Sequence, residues 1–475
     1  MRAVQFCYLV RFRSARAFLA RLPAHALAAT LALGCGGGDG AGAGLDGGSA
    51  TADAASPLDA TRDAAEDAVS DDADGARSDA PSDADALADA SLPLPALPLH
   101  TTSRWIVDAD GHRFKLASVN WYGAESADFV VAGLDIAPLS SIAALVHSLG
   151  FNSVRLPWSN ELYETNPVVA PARLTANPQL HGEKALEVLD AVIAALAHEG
   201  IVVILDNHRS DANWCCDVQH GDGLWYTTAY PETSWLADWT GIVTRYKTQP
   251  AVVAADLRNE LRPALTATAP SSCAGCSSTC PCTTPVWGGG DTTTDWHAAA
   301  ERGGNAVLAA NRNLLVMVEG LDYSLDLTGV YALPVTLDVA DRLVYAPHDY
   351  SFSHAAYASC ADMATNLGDQ WGYILEQGKS YTAPIWLGEL GTAHDASDVD
   401  APSGEGFWFQ CLLQYMTGAD IDWSYWAVNG TEASGYGRTL GAAESYGILD
   451  TTWSGSAFVP LTHALEQIEP ATQGP

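Results

Sequence analysis

The chain of 475 residues carries 57 acidic against 23 basic side chains, a formal net charge of −34. A surface of that sign repels nucleic-acid phosphates and anionic lipid headgroups, so no nucleic-acid partner is expected and neutral substrates are favoured over polyanions. The length exceeds the usual size of one hydrophobic core, but not by enough to demand two catalytic domains.

Residues 1–35 read as an export signal: Arg2, Arg11, Arg13, Arg16 and Arg21 are followed by an apolar run, Ala26 to Leu33, too short to span a bilayer. Leu33-Gly34-Cys35 resembles a bacterial lipoprotein cleavage box, which makes Cys35 a candidate for acylation and membrane attachment, although Ala32 stands where that pattern prefers Leu. Residues 36–98 are almost all Ala, Asp, Gly, Ser and Pro, with 13 Asp and Glu66 against Arg62 and Arg77. Such a stretch cannot bury enough apolar surface to offset its ordering entropy, and reads as a disordered, self-repelling linker. Within it Gly42-x-Gly44-x-x-Gly47 formally matches a dinucleotide fingerprint, but no strand precedes it and no helix follows. No cofactor is expected.

From Arg104 the pattern changes to strand-like blocks alternating with helix-like ones. Phe114 to Val119 reads as a strand leading into Asn120-Trp121-Tyr122-Gly123. Ile142, Leu145, Val146 and Leu149 share one helical face, with Gly150 placed to cap it. Ser153 to Pro157 is the next strand; Leu186, Leu189, Ile193 and Leu196 form the next helical face, closed by Gly200. Ile201 to Leu205 and Val252 to Leu257 are buried strands, with helical sequence from Trp235 to Tyr246 between them. After a helical block from Trp296 to Asn311 come Leu314 to Val318, Leu343 to Ala346, Ile385 to Leu387 and Asp422 to Trp426. These make eight strand candidates over the catalytic region, residues 99–475. Short apolar strands alternating with helices imply a parallel sheet, and eight of them imply a closed (β/α)8 barrel of the TIM type within the α/β class.

Ten cysteines are present, and eight lie beyond the leader: Cys215, Cys216, Cys273, Cys276, Cys280, Cys282, Cys360 and Cys411. In an exported chain an even number reads as disulfides. The cluster from Cys273 to Cys282 lacks the longer separation that lets two pairs converge on one zinc ion, so no metal is expected and the bridges staple a loop. Their pairing is open.

Polar groups follow nearly every strand at the same phase of the repeat. The second strand ends in Arg155, the third in Asp206-Asn207-His208, and the fourth is followed by Asn259-Glu260. His348-Asp349-Tyr350 follows the sixth, Gly388-Glu389 the seventh, and the eighth ends at Trp426. Taken alone, Glu260 reads as a solvated loop carboxylate. The recurrence changes that, because a barrel gathers one end of all its strands. Glu260 and Glu389, three strands apart, then face each other across the mouth. Glycoside cleavage needs such a pair, one carboxyl holding a proton for the leaving oxygen while the other stays ionised, so their pKa values should be pushed apart. No Gly-x-Ser-x-Gly elbow and no His-Glu-x-x-His motif offers a competing hydrolytic centre.

From Trp105 to about Asp450 these residues resemble glycoside hydrolase family 5, the cellulase-type retaining enzymes. Arg155, His208, Asn259, Glu260, His348, Tyr350, Glu389 and Trp426 match the family's active-site set in order. The resemblance implies Glu260 as general acid/base, Glu389 as nucleophile, and Asn259 bonded to the sugar 2-hydroxyl. Arg155 and Tyr350 are then suited to keep Glu389 ionised, His208 and His348 to line the sugar floor, and Trp426 to offer a flat face to the pyranose. Trp121, Trp158, Trp225 and Trp287 lie in or near the same loops, and Trp121 is taken as a further substrate-binding residue. Asp206 to Arg209 and Trp386 to Glu389 look most like bacterial endoglucanases, whereas Trp214-Cys215-Cys216 and Leu257 to Arg262 look like a branch also seen in plants. The expectation is an exported monomer acting on a β-1,4-glucan polysaccharide by double displacement. The alternatives are the same chemistry on mannan, β-1,3-glucan or a glycolipid, or a non-catalytic carbohydrate-binding lipoprotein.

Overall fold

The computed structural model describes residues 91–216, 221–266, 268–394 and 404–475. The export signal, Cys35 and positions 36–90 of the expected linker lie outside these residues.

Eight parallel strands form the barrel: β1 (Ala117–Asn120), β2 (Ser153–Ser159), β3 (Val202–Arg209), β4 (Val252–Asp256), β5 (Leu315–Glu319), β6 (Leu343–Ala346, continued by His348–Asp349 beyond Pro347), β7 (Trp386–Leu390) and β8 (Asp422–Tyr425). Sequential neighbours pair throughout, β8 pairs back onto β1 through Trp423 and Ala117, and a Tyr345 to Ile385 bridge closes β6 onto β7. All eight expected strands are present. Among the described residues the helices longer than two turns are α1 (Leu139–Ser148), α2 (Ala185–His198), α3 (Glu232–Arg245), α4 (Trp296–Ala310), α5 (Cys360–Gln370) and α6 (Gly404–Ala419) in the crossovers and α7 (Val459–Glu466) after β8, with a short helix, Asn160–Thr165, directly following β2. After β5 only a 3-10 turn, Thr328–Tyr331, fills the crossover.

Strand period explains what the barrel holds. Successive side chains alternate between the interior and the helix layer. Val203 and Leu205 pack outward into the main core, while Val202 and Ile204 point inward with Ala254, Leu315, Met317, Val344, Ala346 and Trp386. Two residues further along, the inward positions become Asp206 and His208 on β3, Asp256 on β4, Glu319 on β5 and His348 on β6. The lower barrel is therefore apolar and the upper barrel polar.

The base is closed by an antiparallel hairpin, His100–Thr102 with Trp105–Val107, which sends Ile106 and neighbouring Leu99 into the inward cluster. The expected linker boundary at residue 98 is corrected here. Leu92 N–H donates to the His198 carbonyl at 2.8 Å, and Leu94 and Leu97 pack against the apolar base, so the folded region reaches at least to residue 91. The run Leu92-Pro93-Leu94-Pro95-Ala96-Leu97 is apolar enough to cover that base, unlike the Asp-rich sequence before it.

Disulfides join Cys273 to Cys280 and Cys276 to Cys282 in the loop after β4, and Cys360 on α5 to Cys411 on α6. Cys215 is joined to Cys216. All four cysteines of the cluster considered for zinc are consumed as disulfides.

Candidate active site

Arg155 sits at the centre of the polar upper barrel. It belongs to β2 itself, which runs on to Ser159, and its guanidinium is wholly buried. Nη1 donates to Glu389 Oε1 at 2.8 Å and to Asn120 Oδ1 at 3.0 Å. Nη2 donates to Asn259 Oδ1 at 2.9 Å and Glu319 Oε1 at 3.0 Å, and Nε to Asp256 Oδ2 at 2.9 Å. Asp206 Oδ1 lies 3.2 Å from Nη2. Burial works against the charge, but Asp206, Asp256, Glu389 and Glu319 outweigh it and push the Arg155 pKa further up. Asp206, Asp256 and Glu319 offer oxygens within 4.8 Å of one another, a spacing that suits a cation, and Arg155 already supplies it. Burial lifts Asp206 to about 7 and Asp256 to about 6 despite that neighbour.

The two glutamates meet above this centre. Glu260 Oε1 lies 3.1 Å from His348 Nδ1, and Glu389 Oε2 accepts from the Tyr350 hydroxyl at 2.9 Å. Oxygens of Glu260 and Glu389 lie within 4.8 Å of each other, with a nitrogen of His348 inside the same radius. Glu260 has a left-handed backbone, φ 44°, which costs a non-glycine residue about 1–3 kcal/mol and persists where neighbours fix it. Here Glu319 Oε2 accepts from the Glu260 N–H at 2.7 Å, and Arg262 Nη1 donates to the Glu260 carbonyl at 2.7 Å.

Glu319 ties these groups together. Besides Arg155 and the Glu260 backbone, its Oε1 lies 3.3 Å from His348 Nε2, an ion-pair contact off the hydrogen-bond axis. Burial disfavours charge on His348, yet Glu319, Glu389 and Glu260 hold it protonated, well above the usual imidazole range. His208 is the reverse case: burial and the Arg155 charge keep it neutral. Its Nδ1 lies 2.6 Å from Asp206 Oδ2.

The pKa values of the glutamates are pushed apart, but the sense differs from expectation. Burial raises Glu389, against His348 and Arg155. Burial would raise Glu260 too, but the hydrogen bond and charge of His348 overcome it and lower the pKa. Arg155 holds Glu389 less firmly than expected because Asn120, Asn259, Asp256 and Glu319 share its guanidinium. His348 stands 3.1 Å from Glu260 but 3.8 Å from Glu389, and so favours the anion on Glu260 more than on Glu389.

An aromatic wall flanks the carboxylates. Trp426 stacks parallel on Tyr122 with centroids 5.1 Å apart, and His208 stacks near it at 5.5 Å. Trp214 meets both Tyr122 and Trp426 edge-on, and Arg438 lies 4.1 Å over the Trp214 ring. Trp121 is a correction. It is fully buried in the helix-facing core, with its indole N–H donating to the Ala132 carbonyl at 3.0 Å. Strand phase explains it: Asn120 points into the barrel, so Trp121 points out. Trp158 and Trp225 are likewise core residues, and Trp287 packs partly buried against that core.

Arg155, Asn259, Glu260, His348, Tyr350 and Glu389 thus converge, with His208 and Trp426 beside them. Glu319, Asp256, Asn120 and Trp214 were missed as site residues. The first three share the inward phase of their strands, the signal that would have found them.

Residues 107–432 match the family model described as Cellulase (glycosyl hydrolase family 5). An endoglucanase of Paenibacillus polymyxa is 31% identical over 393 residues, 79% of this chain and 90% of the relative. A major extracellular endoglucanase of Xanthomonas campestris pv. campestris is 31% identical over 342 residues, 69% of this chain and 64% of the relative. The solved catalytic domain of the major endoglucanase from Xanthomonas campestris pv. campestris superposes with a TM-score of 0.63 at 28% identity, covering 78% of this chain and 99% of that one. Barrel, convergent carboxylates and matched sequence agree: this chain is a cellulase-like glycoside hydrolase and belongs to glycosyl hydrolase family 5.

Proposed function

We propose that the chain is an exported, retaining endo-β-1,4-glucanase in which Glu389 is the nucleophile and Glu260 the general acid/base. The observation that carries this reading is the approach of the two carboxylates within 4.8 Å. Retaining glycosidases place them roughly 5–5.5 Å apart, whereas inverting ones leave about 6.5–9.5 Å for a water.

Glu389 attacks the anomeric carbon from an anchored position, one oxygen on Arg155 and the other on Tyr350. As the ring takes on oxocarbenium character, its positive charge favours the anion on Glu389 and leaves the site's proton with the Glu260–His348 pair. Glu260 passes that proton to the departing oxygen, then takes one from the water that releases the glycosyl-enzyme. Asn259, whose oxygen is fixed by Arg155, presents its amide N–H to the sugar 2-hydroxyl. Trp426 supplies the apolar face. The endoglucanase relatives support glucan as substrate, and the extracellular relative supports export. We place Cys35 as the acylation site; a globomycin-insensitive, fully soluble mature protein refutes that anchor.

The test compares wild type with Glu260→Gln and Glu389→Gln on carboxymethylcellulose, mixed-linkage glucan, mannan and xylan. Activity on cellulose and mixed-linkage glucan is expected, with at least a hundredfold loss in each variant. Undiminished activity in both, or preference for mannan or xylan, refutes the reading. Proton NMR should show the β-anomer formed first; the α-anomer removes Glu389 as nucleophile.

A further inference from the structure

Three disulfides consume six of the eight cysteines beyond the leader, and the remaining two, adjacent in sequence, are bonded to each other. The chemistry above gives the Cys215–Cys216 bridge no part, yet it stands against the catalytic pair. Cys215 Sγ lies 4.0 Å from Glu260 Oε2, and the Asn259 amide nitrogen lies 3.5 Å and 3.7 Å from the two sulfurs. The preceding Trp214 is packed between Tyr122, Trp426 and Arg438, so the tripeptide is fixed at its start.

Glu260 Oε1 is taken by His348, which leaves Oε2 as the oxygen that meets the departing sugar. A disulfide has no S–H to donate and binds water poorly. Beside a carboxyl oxygen it excludes solvent and favours the protonated form, whereas a donor in the same place favours the anion. Among the described residues, the other ionisable groups acting on Glu260 are His348, Arg262, His208, Glu389, Glu319 and Tyr350, none on the bridge's loop.

We propose that the Cys215–Cys216 disulfide is a positioning element for Glu260: the dry wall beside the oxygen that hands its proton to the leaving group. The proposal rests on the assignment of Glu260 as acid. Opening the bridge puts two weak donors beside Oε2 and frees the loop that holds Asn259.

Two substrates separate the effects. 2,4-Dinitrophenyl β-cellobioside needs no proton on its leaving group, whereas phenyl β-cellobioside does. In Cys215→Ser/Cys216→Ser, kcat/KM, which reads the glycosylation step, should fall about tenfold on the phenyl substrate, the low end of general-acid contributions, and by less than about threefold on the dinitrophenyl substrate. The alkaline limb of kcat/KM should move down by about half a pH unit, because a hydroxyl donor favours ionised Glu260. Mild reduction of the folded wild type, with the opened bridge mapped by thiol labelling and mass spectrometry, should shift both readouts the same way and covers the case of a poorly folding serine variant. Equal losses on both substrates, an unmoved alkaline limb, or a fully active protein with free thiols at 215 and 216 overturns the proposal. Glu260→Gln is the control. If it also lacks leaving-group selectivity, the acid assignment has failed; if it shows selectivity and the opened bridge does not, the bridge proposal alone falls.

Discussion

Replacing Glu319 with Gln removes one charge from the point where Arg155, His348 and the Glu260 backbone meet, while leaving an oxygen to accept from the Glu260 N–H. Two unit charges 3.3 Å apart, as at His348 Nε2 and Glu319 Oε1, interact by about 5 kcal/mol at an effective dielectric constant of 20. The amide dipole retains part of this, so the expected loss is about 2 kcal/mol, equivalent to about 1.5 pH units in the His348 titration. The sign follows from the direction of the shift. His348 is held charged above its unfolded value, so the stability it contributes is complete below about pH 6.5 and is lost as pH rises through its folded pKa. In Glu319→Gln that loss, and the alkaline limb of kcat/KM, move to lower pH by about 1.5 units. NMR of histidine-labelled protein reads the titration, pH–rate profiles on a soluble cello-oligosaccharide read the limb, and thermal unfolding against pH reads the stability. An unchanged His348 titration with an unchanged limb refutes the claim that Glu319 keeps this imidazole charged.

Three further outcomes follow from the packing. Gly388→Ala would set a methyl 2.9 Å from His348 Nε2, closer than real contacts allow; displacing that ring by even 1 Å should cost about a hundredfold in kcat, measured on the same oligosaccharide, and an unaffected kcat refutes the contact. Cys360→Ala/Cys411→Ala opens a link spanning 51 residues and should cost up to about 4 kcal/mol by denaturant titration under oxidising conditions, with kcat retained. Trp121→Ala should destabilise by about 3–5 kcal/mol as a core cavity while leaving KM near wild type, whereas Trp426→Ala should raise KM at least tenfold; the reverse pattern would restore Trp121 as a sugar platform.

Much of the barrel was legible because its strands are apolar runs at regular intervals, and all eight were located. Their ends were less so. The second strand was read as Ser153 to Pro157 with Arg155 as its last polar group, but β2 runs two residues further, to Ser159, and Arg155 lies inside it, because a barrel interior can bury a guanidinium when carboxylates from β3, β4, β5 and β7 surround it. Run length alone does not say which residues of a strand face the barrel interior. Alternation would have gone further. Counting by twos from Leu315 and Met317 leads to Glu319, and from Ser118 to Asn120 rather than Trp121. What no counting supplies is β7, where a register shift between Leu387 and Leu390 resets the phase and brings Glu389 to Arg155. Nor did sequence show that Arg155 would be shared among so many acceptors, which is why the sense of the glutamate pKa values was misjudged.

The covering of the barrel base by residues 91–99 also fixes a direction. The carboxylates open at the carboxyl ends of the strands, while the chain enters where Leu92 meets the end of α2, at the opposite pole. The first described residues therefore meet the catalytic body at the pole away from the mouth of the cleft, so the contacts that fix them and the contacts that polymer makes with the carboxylates do not compete.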